Sequence, residues 1–136
     1  MATEISQFDQ STQAVFSICA SSDVTSAAMA ATTEINGSTF AGEFHDYFSA
    51  ERRPQFSQAL KSATGCVALV DCDADCERAL STMERLRTMG LRNLSVIAYA
   101  KSIDAQYVLR VMRAGCNEFL VKPADPIALR LSLIHI

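Results

Sequence analysis

Two rhythms of apolar and polar positions alternate along the chain, and the switches between them mark its elements. Residues 14–20 (Ala-Val-Phe-Ser-Ile-Cys-Ala) form a short apolar run rich in β-formers. An alanine-rich stretch over 24–35 follows, with Val24, Ala27, Ala28 and Ala31 on one helical face, and Asn36-Gly37-Ser38 breaks it. Residues 39–44 suit a second strand, although Phe40, Phe44, Tyr47 and Phe48 also fit a helical spacing. Arg52-Arg53-Pro54 predicts a turn or helix start, and 55–62 a short helix. The second half is patterned more strongly. Residues 66–70 (Cys-Val-Ala-Leu-Val) are continuously apolar, as in a strand covered on both faces. Asp75 is placed to cap a helix over 76–89, whose stripe is Ala79, Leu80, Met83 and Leu86, with Gly90 just past its end. Residues 94–100 predict the next strand. Asp104 opens a helix with Tyr107, Val108, Val111 and Met112 inward, closed by Gly115. Residues 118–121 predict a last strand. Asp125-Pro126 then opens a final helix, with proline at the position where a missing N–H costs nothing.

Strands alternating with helices in this way predict an α/β doubly wound sheet, parallel because each crossover is a helix. Functional groups in such sheets gather beyond the carboxyl ends of the strands. Those ends carry Ser21, Ser22 and Asp23 after the first strand, and Asp71 with Asp73 after the third. Ala100 and Lys101 follow the fourth, and Lys122 the fifth.

Composition narrows the field. A chain of 136 residues, 49% hydrophobic and 20% charged, fits one globular domain. Its net charge of −3 argues against nucleic acid as a partner, since neutralising phosphates needs a basic surface. No apolar run approaches the roughly 18 residues of a membrane span, and no basic segment precedes an apolar one at the start, so no direct membrane insertion and a cytoplasmic location are expected. The five cysteines are then reduced and act as small hydrophobes. Cys72 and Cys76 would need two further ligands to hold zinc, and His45 and His135 are the only histidines, so no metal site is expected. The five glycines are isolated and none precedes a lysine, which leaves no P-loop to cradle phosphates. The last six residues, Leu131-Ser-Leu-Ile-His-Ile136, read like the translated end of a sequencing adapter. The expected division is therefore an N-terminal extension over 1–11, one domain over 12–130, and a non-native tail over 131–136. The other reading of 131–136 is a helical tail that packs through Leu131, Leu133 and Ile134.

Specific residues carry a resemblance. Val67-Ala-Leu-Val-Asp71 resembles the third strand of a response-regulator receiver domain, which ends in the phosphoacceptor aspartate. Arg113-Ala-Gly-Cys-Asn-Glu-Phe-Leu-Val-Lys-Pro123 resembles the end of its fourth helix and its fifth strand. The resemblance implies a flavodoxin-like, five-stranded parallel sheet of order 2-1-3-4-5. Receivers hold Mg²⁺ with an acidic pair after the first strand, and a hydroxyl ending the fourth strand reports the modified state. This chain keeps Asp71 and Lys122, but Ser21-Ser22 with only Asp23 nearby stands at the acidic pair, and Ala100 stands at the hydroxyl. Asp73 is a further carboxylate, placed after the acceptor and not across from it. The resemblance thus implies a degenerate phosphoacceptor site of Asp71, Lys122, Asp23, Asp73 and Ala100, with no catalytic residue, inefficient phosphorylation and little capacity for Mg²⁺, the one cofactor it suggests. Phe119 stands where receivers carry a switch aromatic, and Arg110, Arg113 and Glu118 are expected on or near the partner face built by the fourth helix, fifth strand and fifth helix.

The stretches Phe40-Ala-Gly-Glu-Phe44, Arg52-Arg-Pro54, Val67-Ala-Leu-Val-Asp-Cys-Asp73 and Leu109-Arg-Val-Met-Arg-Ala-Gly-Cys-Asn-Glu-Phe-Leu120 are similar to the atypical receiver domain of CpaE/TadZ-type pilus assembly proteins. That family implies a non-enzymatic interaction and localisation domain, placed at the cell pole or at the inner membrane through partners. It also implies continuation into a P-loop ATPase domain. Its expected partners are that ATPase domain, the pilus machinery, or a second copy in a homodimer. The alternative reading is a phosphoacceptor receiver of a two-component pathway.

Overall fold

The computed structural model describes residues 13–51, 54–102 and 104–135. Arg52 and Arg53 of the expected turn, the 1–11 extension and Ile136 lie outside the described residues. Five parallel strands form one sheet in the order β2-β1-β3-β4-β5. They are β1 (Gln13–Ile18), β2 (Ser38–Phe44), β3 (Gly65–Asp71), β4 (Leu94–Ala100) and β5 (Glu118–Val121). The connecting helices are α1 (Ser22–Thr33), α2 (Gln58–Ser62), α3 (Cys76–Leu86), α4 (Ala105–Arg113) and α5 (Pro126–His135). The doubly wound sheet and its order agree with the expectation.

Alternation along the strands sorts side chains into two cores. Ala14, Phe16 and Ile18 of β1 join Ala68, Val70, Val96 and Ala98 under α2, α3 and α4. Val15 joins Val67, Leu69, Ile97 and Tyr99 on the other face, under Val24, Ala27, Ala28 and Ala31 of α1 and Leu129 and Leu133 of α5. Because β3 and β4 are covered on both faces, their continuous apolar runs are explained. Small alanines let α1 lie close to the sheet.

The aromatic series at 40–48 resolves into strand and loop. Between Val15 and Phe16 the β1–β2 register shifts by one residue, and Gly42, at φ 144°, takes the backbone conformation that this bulge requires. Phe44, Phe48 and Phe56 then pack edge to face beside Phe16, with ring centroids 5.2–6.5 Å apart.

Several helix boundaries differ from the pattern. Helix α2 starts at Gln58, where the Ser57 side chain accepts the Leu60 N–H, so only the second part of 55–62 is helical. Asp75 and Asp104 cap α3 and α4 as expected. Helix α3 closes three residues early, at Leu86. There Arg87 turns away to donate to the Leu94, Gly115 and Asn117 oxygens, tying α3 to the start of β4 and the turn before β5. Met112 was expected inward, but it is exposed and Val108 is only half-buried. The nine residues of α4 bury only Val111 fully, because the narrow end of the sheet at β5 offers little to cover. Helix α5 runs on through 131–135, with Leu133 buried and Leu131 and Ile134 exposed.

Candidate functional site

Four strand ends converge at one edge of the sheet. Asp71 is the last residue of β3, and register places it beside Tyr99 of β4. Backbone pairing carries the Lys122 N–H to the Ala100 carbonyl, 2.9 Å away, which brings Lys122 to the end of β4. Its ammonium lies 2.6 Å from Asp71 Oδ2 and 2.8 Å from Asp73 Oδ2. The side chains of Lys122 and Asp71 are only 7% and 2% exposed, so this is a buried ion pair with a half-buried third member.

Every oxygen of the three carboxylates here accepts a hydrogen bond. Asp71 Oδ1 accepts the Asp73 N–H at 3.0 Å, and Oδ2 accepts the Ser21 N–H at 2.9 Å as well as the ammonium. Both Asp73 oxygens face the Lys101 N–H, at 3.1 and 3.2 Å. Asp23 accepts the Ser21 hydroxyl at 2.5 Å and the Ala124 N–H at 3.0 Å. Each carboxylate therefore ties one strand-end loop to another. Asp71 holds the β1–α1 loop, Asp73 the β4–α4 loop and Asp23 the β5–α5 loop.

Charge follows geometry. Burial works against the Lys122 ammonium, but hydrogen bonds and charge from Asp71 and Asp73 outweigh it and raise its pKa above the ordinary lysine value. The Ser21 hydroxyl, then the Ala124 N–H, hold the Asp23 carboxyl below the usual carboxylate range.

The sequence-predicted residues are thus only partly gathered. Asp71, Lys122 and Asp73 meet, and Asp73 turns back across the site although it follows the acceptor position. Asp23 adjoins them through Ser21 and Ala124. Ala100 ends β4 with a methyl where a hydroxyl would be needed. Phe119 is half-buried against the core beneath α4. Arg110 reaches α3 instead of the β5 side, in a two-pronged pair with Glu77 at 2.7 and 2.8 Å. Arg113 is exposed at the end of α4. Glu118 is engaged by the Ser132 hydroxyl of α5. Sequence reasoning did not single out Tyr47 for this site. Its buried hydroxyl donates to the Asp71 carbonyl, and the Arg78 guanidinium lies 5.6 Å over its ring. The isolated tyrosine among phenylalanines at 40–48 was the available signal.

No family model matches the chain, and no curated protein matches it. Solved structures do. The chain is similar to a protein assigned to pilus assembly (cpaE) from Burkholderia thailandensis E264, with TM-score 0.64 and 19% identity, covering 91% of this chain and 96% of that one. It is also similar to a response regulator from Thermotoga maritima, with TM-score 0.67 and 16% identity over 91% and 96%. A protein assigned as pilus assembly-related from Burkholderia pseudomallei K96243 matches with TM-score 0.58 and 17% identity over 92% and 88%. The chain has the receiver fold. In that fold Asp71 and Lys122 occupy the strand ends that the sequence resemblance assigned to phosphoacceptor and lysine.

Receivers imply Mg²⁺, and the residues here do not fit it. A hard divalent cation needs several free oxygen ligands at about 2.0–2.1 Å. All the carboxylate oxygens at this edge already accept hydrogen bonds, and an ammonium stands between Asp71 and Asp73. Among the described residues no group of three or more His, Cys, Asp or Glu is arranged to hold a metal ion. Nor is any helix among them long and apolar enough to cross a membrane.

Proposed function

We propose that this chain is a non-enzymatic, receiver-like interaction and localisation domain that works in a pilus assembly apparatus. The observation that carries the reading is the state of Asp71. Its carboxylate is 2% exposed, and both oxygens are bonded within the protein. A phosphoryl donor must reach a free carboxylate oxygen, with a cation to offset the repulsion between anions. Here both Asp71 oxygens are already engaged, and the cation beside them, Lys122, is itself bonded to Asp71 and Asp73, which supports inefficient transfer. The similarity to two proteins assigned to pilus assembly supports the setting. Exposed Leu109 and Met112 on α4, Val121 on edge strand β5 and Ile127 on α5 support a role in docking a protein partner.

Intact-mass spectrometry after incubation with Mg²⁺ and a small acyl phosphate tests the reading. The expected result is an unchanged mass. A gain of one phosphoryl group, absent in Asp71→Asn, would overturn it. It would favour a phosphoacceptor receiver, the reading supported by the retained 2.6 Å approach of Lys122 to Asp71.

A further inference from the structure

We propose that the cleft between the β2–α2 loop and the end of α3 binds a small aromatic monoanion, of the aryl carboxylate class. This cleft shares no residue with the strand-end cluster, so its occupancy does not depend on the state of Asp71. It arises where the chain departs from the helix expected over 55–62. Helix α2 is only five residues long, and the chain reaches it through a loop that leaves a gap against α3. The result is an open cleft of about 460 Å³, within the range of small-molecule sites.

Its walls are fixed without a ligand. On the loop side Pro54 and Phe56 supply apolar surface. The Phe56 ring is backed by Phe16, Phe44 and Phe48, with centroids 6.0–6.5 Å away. The Phe48 N–H donates to Thr82 Oγ1 at 3.0 Å and ties the same loop to α3. On the other side stand Arg85 of α3 and, just past its end, Thr88 and Met89. A flat ring between Phe56 and the adaptable Met89 thioether would be held by both.

Charge sets the sign of the ligand. Among the described residues that line the cleft, Arg85 is the one with a charged side chain. It is half-buried, and its guanidinium makes no hydrogen bond or ion pair with any described residue. Its planar fork matches a carboxylate. The Arg85 carbonyl, a last-turn acceptor that would repel an anion, already accepts the Thr88 N–H at 2.9 Å and the Thr88 hydroxyl at 2.8 Å. The C-terminal end of α3 still carries partial negative charge, so one negative charge on the ligand is favoured over a phosphate dianion.

The test is an amide NMR titration of the full chain with naphthoate, and with naphthalenemethanol as its uncharged counterpart. Naphthoate is expected to shift the Ser49, Thr88 and Met89 amides saturably, with a Kd of about 0.1–1 mM, as suits a ligand of this size. The alcohol keeps the ring without the charge and is expected to bind about tenfold more weakly. Arg85→Gln is expected to weaken naphthoate by about the same factor and to leave the alcohol unchanged. That difference separates a lost charge contact from a general disturbance of the fold. No saturable shift at these amides in about 5 mM naphthoate would overturn the proposal. Equal affinity of the wild-type chain for naphthoate and the alcohol would do so as well, and needs no variant. So would shifts confined to Leu109 and Met112, which would make the naphthyl group a marker of exposed apolar surface only.

Discussion

The strand-end cluster and the α4–β5–α5 rim lie close in the fold and are built on opposite principles. At the cluster, the Asp71 and Lys122 side chains are buried and every carboxylate oxygen is bonded. At the rim, apolar groups are exposed, with Leu109 and Ile127 each more than half accessible. Protein interiors normally exclude charge and surfaces normally shed apolar area, so each region departs from the average in its own direction. The contrast separates their roles. A buried, paired core such as Asp71 with Lys122 resists change. An exposed apolar rim adds little to folding and gains stability only by being covered. On the proposed function, the cluster keeps the outline of a phosphorylation site as architecture, and the rim is the surface left to act.

The strongest way to break this contrast is to unpair the cluster. Lys122→Met strands the buried Asp71 carboxylate, and loss of one partner of a buried pair costs about 3–5 kcal/mol. Chemical denaturation in EDTA should show that loss as a lowered midpoint with little change in slope. A loss below about 1 kcal/mol would mean that the pair is solvated and the cluster resembles an ordinary surface.

Tyr47→Phe is the next largest. It removes the hydroxyl that donates to the buried Asp71 carbonyl and leaves that acceptor without this partner, at a cost of about 1–3 kcal/mol. It should also loosen the loop after β2. Faster amide exchange at Phe48, whose N–H donates to Thr82, would report this, whereas an unchanged exchange rate there would separate the hydroxyl from loop anchoring.

The contrast between these regions also explains what the sequence could reveal. Both-face burial of β3 and β4 forces unbroken apolar runs, and α3 must present one stripe, so topology and core were legible. The pairing of Asp71 with Lys122 followed because parallel strands deliver their ends to one edge. Asp73 was harder. Two residues past the strand, its direction depends on a loop conformation that no periodicity encodes, and only the structure shows it turning back to Lys122. Tyr47 was hidden by a bulge: Gly42 shifts the register and turned an apparent helical spacing into strand plus loop. Met112 misled for the opposite reason. Helical spacing nominates an apolar face, but a four-residue edge strand cannot cover all of α4.

Acid titration probes the periphery of the cluster. The Asp23 pKa is lowered on folding, by the Ser21 hydroxyl and then the Ala124 N–H. A lowered folded pKa means the unfolded chain binds the proton more tightly. The resulting stability is present above the unfolded value of 3.8 and is lost as pH falls below it. Asp23→Asn should flatten the pH dependence of unfolding below about pH 4 and leave it unchanged near neutrality. In the alkaline direction, burial pushes Cys72 up from 9.0 to about 12, so its stabilising effect is complete below 9.0 and declines as pH rises through that window. Cys72→Ala should remove part of the alkaline decline and none of the acid one.

The smallest effect on folding is expected at the rim, and there the sign of the functional result is the more telling quantity. Leu109 and Ile127 are 55% and 60% exposed, so Leu109→Ser and Ile127→Ser remove little buried area and should each change stability by less than about 0.5 kcal/mol. If the rim docks a partner and the domain localises in pilus-forming cells as proposed, the same substitutions should disperse the focus expected of a fluorescent fusion, since truncating a central apolar anchor of an interface typically costs about 2 kcal/mol or more of binding. Lys122→Arg, which preserves a cation within the cluster, should leave that focus in place. Dispersal by Lys122→Arg with retention in the rim variants would invert the assignment and make the cluster, not the rim, the part of the domain that its surroundings read.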